Sequence, residues 1–438
     1  MDPCFLRPLL CAALIAALLV PADGNAKQQS EPANFLRAND HLGMSLLEVA
    51  HKATPHRNTI VDTLSVSIGL SLFSGYAFVD HQTHDELDPV MGWDDSVQVY
   101  PATRMLLARF RPQEKWNPPP FKDPLHHDLT DREMEGDPPE LWLSAALLHR
   151  GTKPFSYRFE YVSRDLGFTS HAVSGDESQQ QILAANWPVA TPLPSFNETA
   201  SGTARNDFWL VAATHLRTTW AGNTFVLSKV QKEDFHVSAE RTVNVDVLPS
   251  EMEFFGYIHT HDFEAVEMPG WLASIIFVLP SKTSSVQEIE KRLAKDPEYA
   301  ESGLHPREGQ LYLPPFHFKY QADIKAALEQ LGVHRIFDSD QAINVTDGDG
   351  PGARLDAIGQ SSDVTVDRTG IKVDSGTAFA GVYGGILGNR EPPFDMHLNR
   401  PFIFLIRDTV TRALLYVGAV VDPAQEPQPP SKIGGGDN

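Results

Sequence analysis

The chain has 438 residues, a formal net charge of −21, 42% hydrophobic residues and two cysteines. So large an acidic excess excludes nucleic acid and an anionic membrane surface as partners, since both demand a basic face, and it favours solubility. It says nothing about fold, and length alone would allow two or three domains.

The opening residues, MDPCFLRPLLCAALIAALLVPADGNAKQQ, place one arginine before an apolar run from Leu9 to Val20. That run is too short to span a bilayer, and Ala22 or Ala26 supplies a small-residue cleavage position, so residues 1–26 are expected to be an export signal. Cys4 and Cys11 both lie inside it. The exported protein would then hold no disulfide and rest on its hydrophobic core alone. No later stretch reaches the ~18 uncharged apolar residues of a membrane helix.

From Phe35 to Lys52, Leu42, Leu46 and Val49 fall at helical spacing with charges between them, which predicts an amphipathic surface helix. Asp62 or Thr63 can cap the next helix by accepting a backbone N–H, and from Leu64 the residues are apolar or small on every side. A helix without a polar stripe belongs in a core. The stretch 112–140, with Pro118-Pro119-Pro120 and Pro138-Pro139, reads as a loop insertion. Leu141–Leu148 and Phe208–Trp220 follow as strands, the second buried and closed by a turn.

Ser274–Leu279 is a continuous apolar strand, and Ser285–Leu293 a short amphipathic helix. Phe316, Phe318 and Tyr320 alternate with His317 and Lys319, which predicts a half-buried strand. Ile324, Ala327, Leu328 and Leu331 then share a helix face that Gly332 can end in the left-handed conformation. Pro401–Val421 makes two apolar strands joined by residues 407–412, a hairpin covered on both faces. The tail at 424–438 reads as disordered.

The stretch Val373–Phe402 is different because its parts conflict. Thr377–Leu387 has the uncharged, proline-free composition of a buried strand, yet it runs into the polar segment Gly388-Asn389-Arg390-Glu391-Pro392-Pro393. Gly376-Thr377-Ala378-Phe379-Ala380-Gly381 resembles the hinge of a serpin reactive-centre loop. Asn399-Arg400-Pro401-Phe402 and the hairpin after it resemble the serpin C-terminal signature. The twenty-five positions between Gly376 and Pro401 suit an ordinary reactive loop.

The resemblance covers about 35 to 423. It implies one domain over 30–423 of mixed α+β class: a large main sheet, smaller sheets, about eight to nine helices, and an exposed reactive-centre loop at 373–400. Counting fourteen residues on from Gly376, as the family does, puts the scissile bond at Arg390-Glu391. By position Trp220 is the tryptophan at the opening of the main sheet, and Asn186-Trp187 belongs to the helix laid across it. Two departures stand out: Asp62-Thr63 replaces the family's Ser-Pro, and Ala212 its asparagine.

The function implied is that of a secreted monomer, not an enzyme and without cofactor, whose partner is an arginine-accepting, trypsin-like serine protease. The protease acylates itself on Arg390, and the freed upstream half of the loop enters the main sheet as a strand and distorts the trapped enzyme. Thr377, Phe379, Gly381, Tyr383, Gly385 and Leu387 would share one face of that strand. Inhibitory members are small near the hinge and Phe379 is not, so a non-inhibitory binding or carrier protein is the alternative.

Other chemistries have less behind them. Gly381, Gly384, Gly385 and Gly388 fit neither phosphate-loop pattern, and no lysine follows. His259 and His261 could meet a metal with Asp262 or His215, but no HExxH or cysteine ligand accompanies them. Asp347-Gly-Asp349-Gly lacks the glutamate of a calcium loop, and no GxSxG elbow is present. Asn197 and Asn344 are in glycosylation sequons.

Overall fold

The computed structural model describes residues 26–74, 78–93, 99–110, 140–150, 155–172, 207–220, 224–225, 229–345, 353–355, 357–373 and 391–425. The expected export signal up to residue 25, most of the proline-rich stretch, Asn186-Trp187 and 374–390 lie outside the described residues.

Eight helices occur among the described residues: α1 (Ala26–Ala53), α2 (Thr63–Ser71), α3 (His81–Met91), α4 (Val99–Phe110), α5 (Tyr157–Asp165), α6 (Val286–Lys295), α7 (Ile324–Gln330) and α8 (Arg335–Asp338). Every residue of α2 is buried, as its lack of a polar stripe predicts, and Asp62 caps it by accepting from the Ser65 N–H. Ser285 opens α6 with a capping box to Glu288. Gly332, at φ +106°, turns the chain after α7. Among the described residues no helix is long and apolar enough to cross a membrane.

Among the described residues, two sheets share the core. One has ten strands, in the order β1 (Thr59–Asp62), β16 (Leu414–Val420), β15 (Phe402–Asp408), β9 (Ala273–Pro280), β8 (Phe263–Met268), β7 (Glu253–His259), β10 (His305–Leu313), β6 (Thr242–Pro249) and β5 (Gln231–His236). Its remaining strand, β14 (Phe394–His397), adds to β10 in parallel. Strands β9, β15 and β16 are buried at every position, which is why they read as unbroken apolar runs.

The other sheet has six strands, in the order β11 (Phe316–Asp323), β12 (Ala357–Val366), β13 (Gly370–Val373), β4 (Asp207–Thr219), β2 (Glu140–Arg150) and β3 (Phe168–Ala172). It contains β4, whose last residue Thr219 precedes Trp220, so it is the sheet expected to take in the loop. On β11, Phe316, Phe318 and Tyr320 are buried while His317 and Lys319 are exposed, the expected alternation. The class is mixed α+β. At the end of the stretch expected as loop, Phe394–His397 is already paired as β14.

Candidate functional site

The six-stranded sheet has a seam between β12 and β4. Deep in the sheet these strands pair directly and in parallel, at Ala357↔Trp209, Ile358↔Leu210 and Gly359↔Val211. At the other end they are spread apart by β13, which runs antiparallel to both. Val373 faces Leu216 and Gly370 faces Thr219 on one side, while Val364 faces Val373 on the other. Between these two zones lie residues 212–215 of β4 and 360–363 of β12, which make no ladder pair with each other or with β13.

A hairpin feeds β13 into this seam. The Asp367 carboxylate accepts from the Thr369 N–H and hydroxyl, and the Asp367 N–H donates to the Gly370 carbonyl at 3.1 Å. Gly370 is at φ +154°, and a Cβ there would overlap the Thr218 carbonyl, so the turn needs glycine at this position. Trp220 Nε1 donates to the Asp367 carbonyl at 2.8 Å, and its ring meets Phe225 edge-on at 5.9 Å. The tryptophan expected at the sheet opening therefore clamps the turn that precedes β13. Gly370→Ala should lift β13 out of register and cost roughly 2 kcal/mol of stability, read by denaturant unfolding followed through Trp220 fluorescence.

The middle of the seam is closed from below. Thr214 turns its N–H and carbonyl away from β2: the N–H donates to Asp62 Oδ2 at 2.8 Å, the hydroxyl to Asp62 Oδ1 at 2.9 Å, and the carbonyl accepts from the Tyr416 hydroxyl. On the β12 side, Gln360 accepts from the Asp62 N–H and donates to the Ile60 carbonyl, at 3.0 and 2.9 Å. Burial pushes the Asp62 carboxyl up to about 6, against the pull of the Thr214 and Ser65 donors. The two departures noted in the sequence, Asp62 and Ala212, thus fall at one place. Asp62 bridges α2 to Thr214, two residues along β4 from Ala212.

Of the predicted site residues, Trp220 and Glu391 are described, while Gly376, Thr377, Ala378, Phe379, Ala380, Gly381 and Arg390 lie outside the described residues. Glu391 is exposed. Its carboxylate lies 3.3 Å from the Arg307 guanidinium and 3.9 Å from His305, and Arg307 also donates twice to the Pro392 carbonyl. Sequence reasoning missed Asp367, Gly370 and Arg307. The first two carry a legible signal, an Asp-x-Thr-Gly turn between two apolar runs; Arg307 carries none. The candidate metal pair comes apart: His259 ends β7 beside Glu264, His261 is exposed beside Asp262, and among the described residues no three ligating groups converge.

A profile of the family described as Serpin (serine protease inhibitor) matches residues 37–423. The chain belongs to the serpin family. Alpha-1-antitrypsin of Sus scrofa is 26% identical over 212 residues, 46% of this chain and 47% of that protein. Several relatives are likewise matched over only about half their length. Antichymotrypsin-2 of Bombyx mori is 24% identical over 392 residues, 85% of this chain and 95% of that one. The structure of human thyroxine-binding globulin complexed with thyroxine superposes with a TM-score of 0.69 at 18% identity, covering 89% of this chain and 99% of that one. This last likeness is one of fold.

Proposed function

We propose that this serpin is exported and inhibits an arginine-accepting serine protease by suicide trapping, with cleavage at Arg390-Glu391. The observation that carries this reading is β13. Residues 370–373 occupy the seam antiparallel to both flanking strands, so the segment that follows is attached to a strand already started. Continued in the same register, Ser375 would lie opposite Thr214 and Ser362, and Thr377 opposite Ala212 and Gln360. Beyond Thr377 the direct pairs between β12 and β4 must part.

Mixed with trypsin, the purified protein is expected to leave a band at the summed mass on a denaturing gel, and Arg390→Ala to remove it. A small downward shift with no covalent band would sink the inhibitory reading.

One feature favours a second reading, a binding or carrier protein whose loop is only a substrate; a thyroxine-binding member shares the fold. Ile371, on β13, is buried. Residues an even number of positions further along would share its face, and these include Phe379. In the continued register Phe379 comes opposite Leu210 and Ile358, both buried, where a ring overpacks a filled core at roughly 1–3 kcal/mol. Slow insertion lets the acyl-enzyme hydrolyse first, so the gel separates the two readings.

A further inference from the structure

The far flank of the expected bond is held in place. β14 begins at Phe394, opposite Gly309, whose missing side chain leaves the space that the Phe394 ring fills. That ring stacks on Tyr257 at 4.1 Å, and the Arg307 guanidinium sits over the Tyr257 ring at 5.1 Å. From there Arg307 reaches forward to the residues before β14. Its Nε and Nη2 donate to the Pro392 carbonyl at 3.0 and 2.8 Å, and its Nη1 lies 3.3 Å from the Glu391 carboxylate. Arg307 is 21% exposed while Glu391 is 60% exposed, so the fixed partner is the arginine and the presented one is the glutamate.

We propose that Arg307 is a positioning and specificity residue for the reactive bond, pinning the Pro392 carbonyl and compensating the Glu391 charge. This rests on the reading that Arg390-Glu391 is the bond attacked. A trypsin-like enzyme binds arginine in an anionic pocket, and the tetrahedral intermediate carries a further negative charge. A bare carboxylate next to the scissile bond repels both, and a fixed guanidinium within 4 Å offsets much of that repulsion. The two donors to Pro392 also fix the chain direction on the leaving-group side. When the protease serine attacks Arg390, the bond to the Glu391 nitrogen breaks and that nitrogen takes a proton from the protease histidine. The new amino terminus remains tied to β14 and Arg307 while the upstream half departs.

The test is a double-mutant cycle on the second-order rate of capture or cleavage by trypsin, using the full chain. Arg307→Ala should slow the reaction about 5- to 10-fold at low salt, with the loss shrinking as ionic strength rises. In a Glu391→Gln background the same change should cost less than about 3-fold, because only the Pro392 contact is then lost. Arg307→Lys, which keeps the charge without the paired donors, should fall between wild type and alanine.

Equal losses in both backgrounds, or none, overturn the proposal. The first pattern is that of a merely structural arginine, and it would come with a lowered melting midpoint. Sequencing the released C-terminal fragment separates this from the reading beneath it. A fragment beginning at Glu391 keeps the cleavage reading whatever the mutants do, and any other first residue overturns both.

Discussion

Cleavage of the loop near Arg390 by a protease that is not itself trapped, such as a metalloprotease, is expected to raise the melting midpoint of this protein, by on the order of 10–20 °C. Among the described residues, 370–373 pair in the seam, and the chain resumes at Glu391 beside β14 of the other sheet, so an uncut loop is tethered at both ends. Cutting at Arg390 removes that tether, and about a dozen residues gain backbone partners on both sides. A net gain of the order of 10 kcal/mol would shift the midpoint by that amount, since one kcal/mol moves a large domain by roughly 1–2 °C. The melt tests insertion alone, independently of whether a protease is trapped. A cleaved protein that melts at or below the intact one would mean that the seam does not open, and suicide trapping would then have no driving force. Phe379→Ala should enlarge the rise if the ring overpacks the core near Leu210, and reduce it if a hollow receives it.

What the sequence revealed followed how local each feature's cause is. The buried helix α2, the hairpin of β15 and β16, and the alternation of β11 were legible because each leaves a periodic signature within a dozen residues. β14 was not. Phe-Asp-Met-His is too short to show a period, and its partner β10 lies far away in sequence and runs parallel. The joining of so many strands into one sheet was not legible for a similar reason. Ten strands link through β10, which pairs with β6, β7 and β14 along different parts of its length, and no local pattern encodes that sharing.

At the site, Trp220 was found by position, but what it clamps, the Asp367–Gly370 turn, lies about 150 residues away in sequence. Asp62 was read as a cap only. Its second role, holding Thr214, is a tertiary contact that capping logic does not reach.

Asp62 has a large expected effect on stability, in a direction opposite to that of most carboxylates. Its folded pKa of about 6 lies above the ordinary 3.8 because burial disfavours the charge. Between those values the folded state binds the proton more tightly than the unfolded chain, so the contribution of this group to stability is fully present below about pH 4. It is lost as pH rises through about 6, a change of roughly 3 kcal/mol. Other acids titrate as well, and Asp80, lowered to about 2 by its hydrogen bonds with Arg335, acts in the opposite sense. The quantity to measure is therefore the difference in unfolding free energy between wild type and Asp62→Asn from pH 4 to pH 7.

That difference should shift against wild type by about 3 kcal/mol across the range. A flat difference would mean that Asp62 is not titrating in the core. Asp62→Ala, which leaves the Thr214 and Ser65 N–H groups without their acceptor, should cost about 2–5 kcal/mol at pH 7. The same variants bear on the seam. An incoming strand must take the Thr214 N–H and carbonyl away from Asp62 and Tyr416 at the level of Ser375, so the pH-dependent difference should shrink in the cleaved, inserted protein. Should it persist unchanged after cleavage, the inserted segment has stopped short of Thr214.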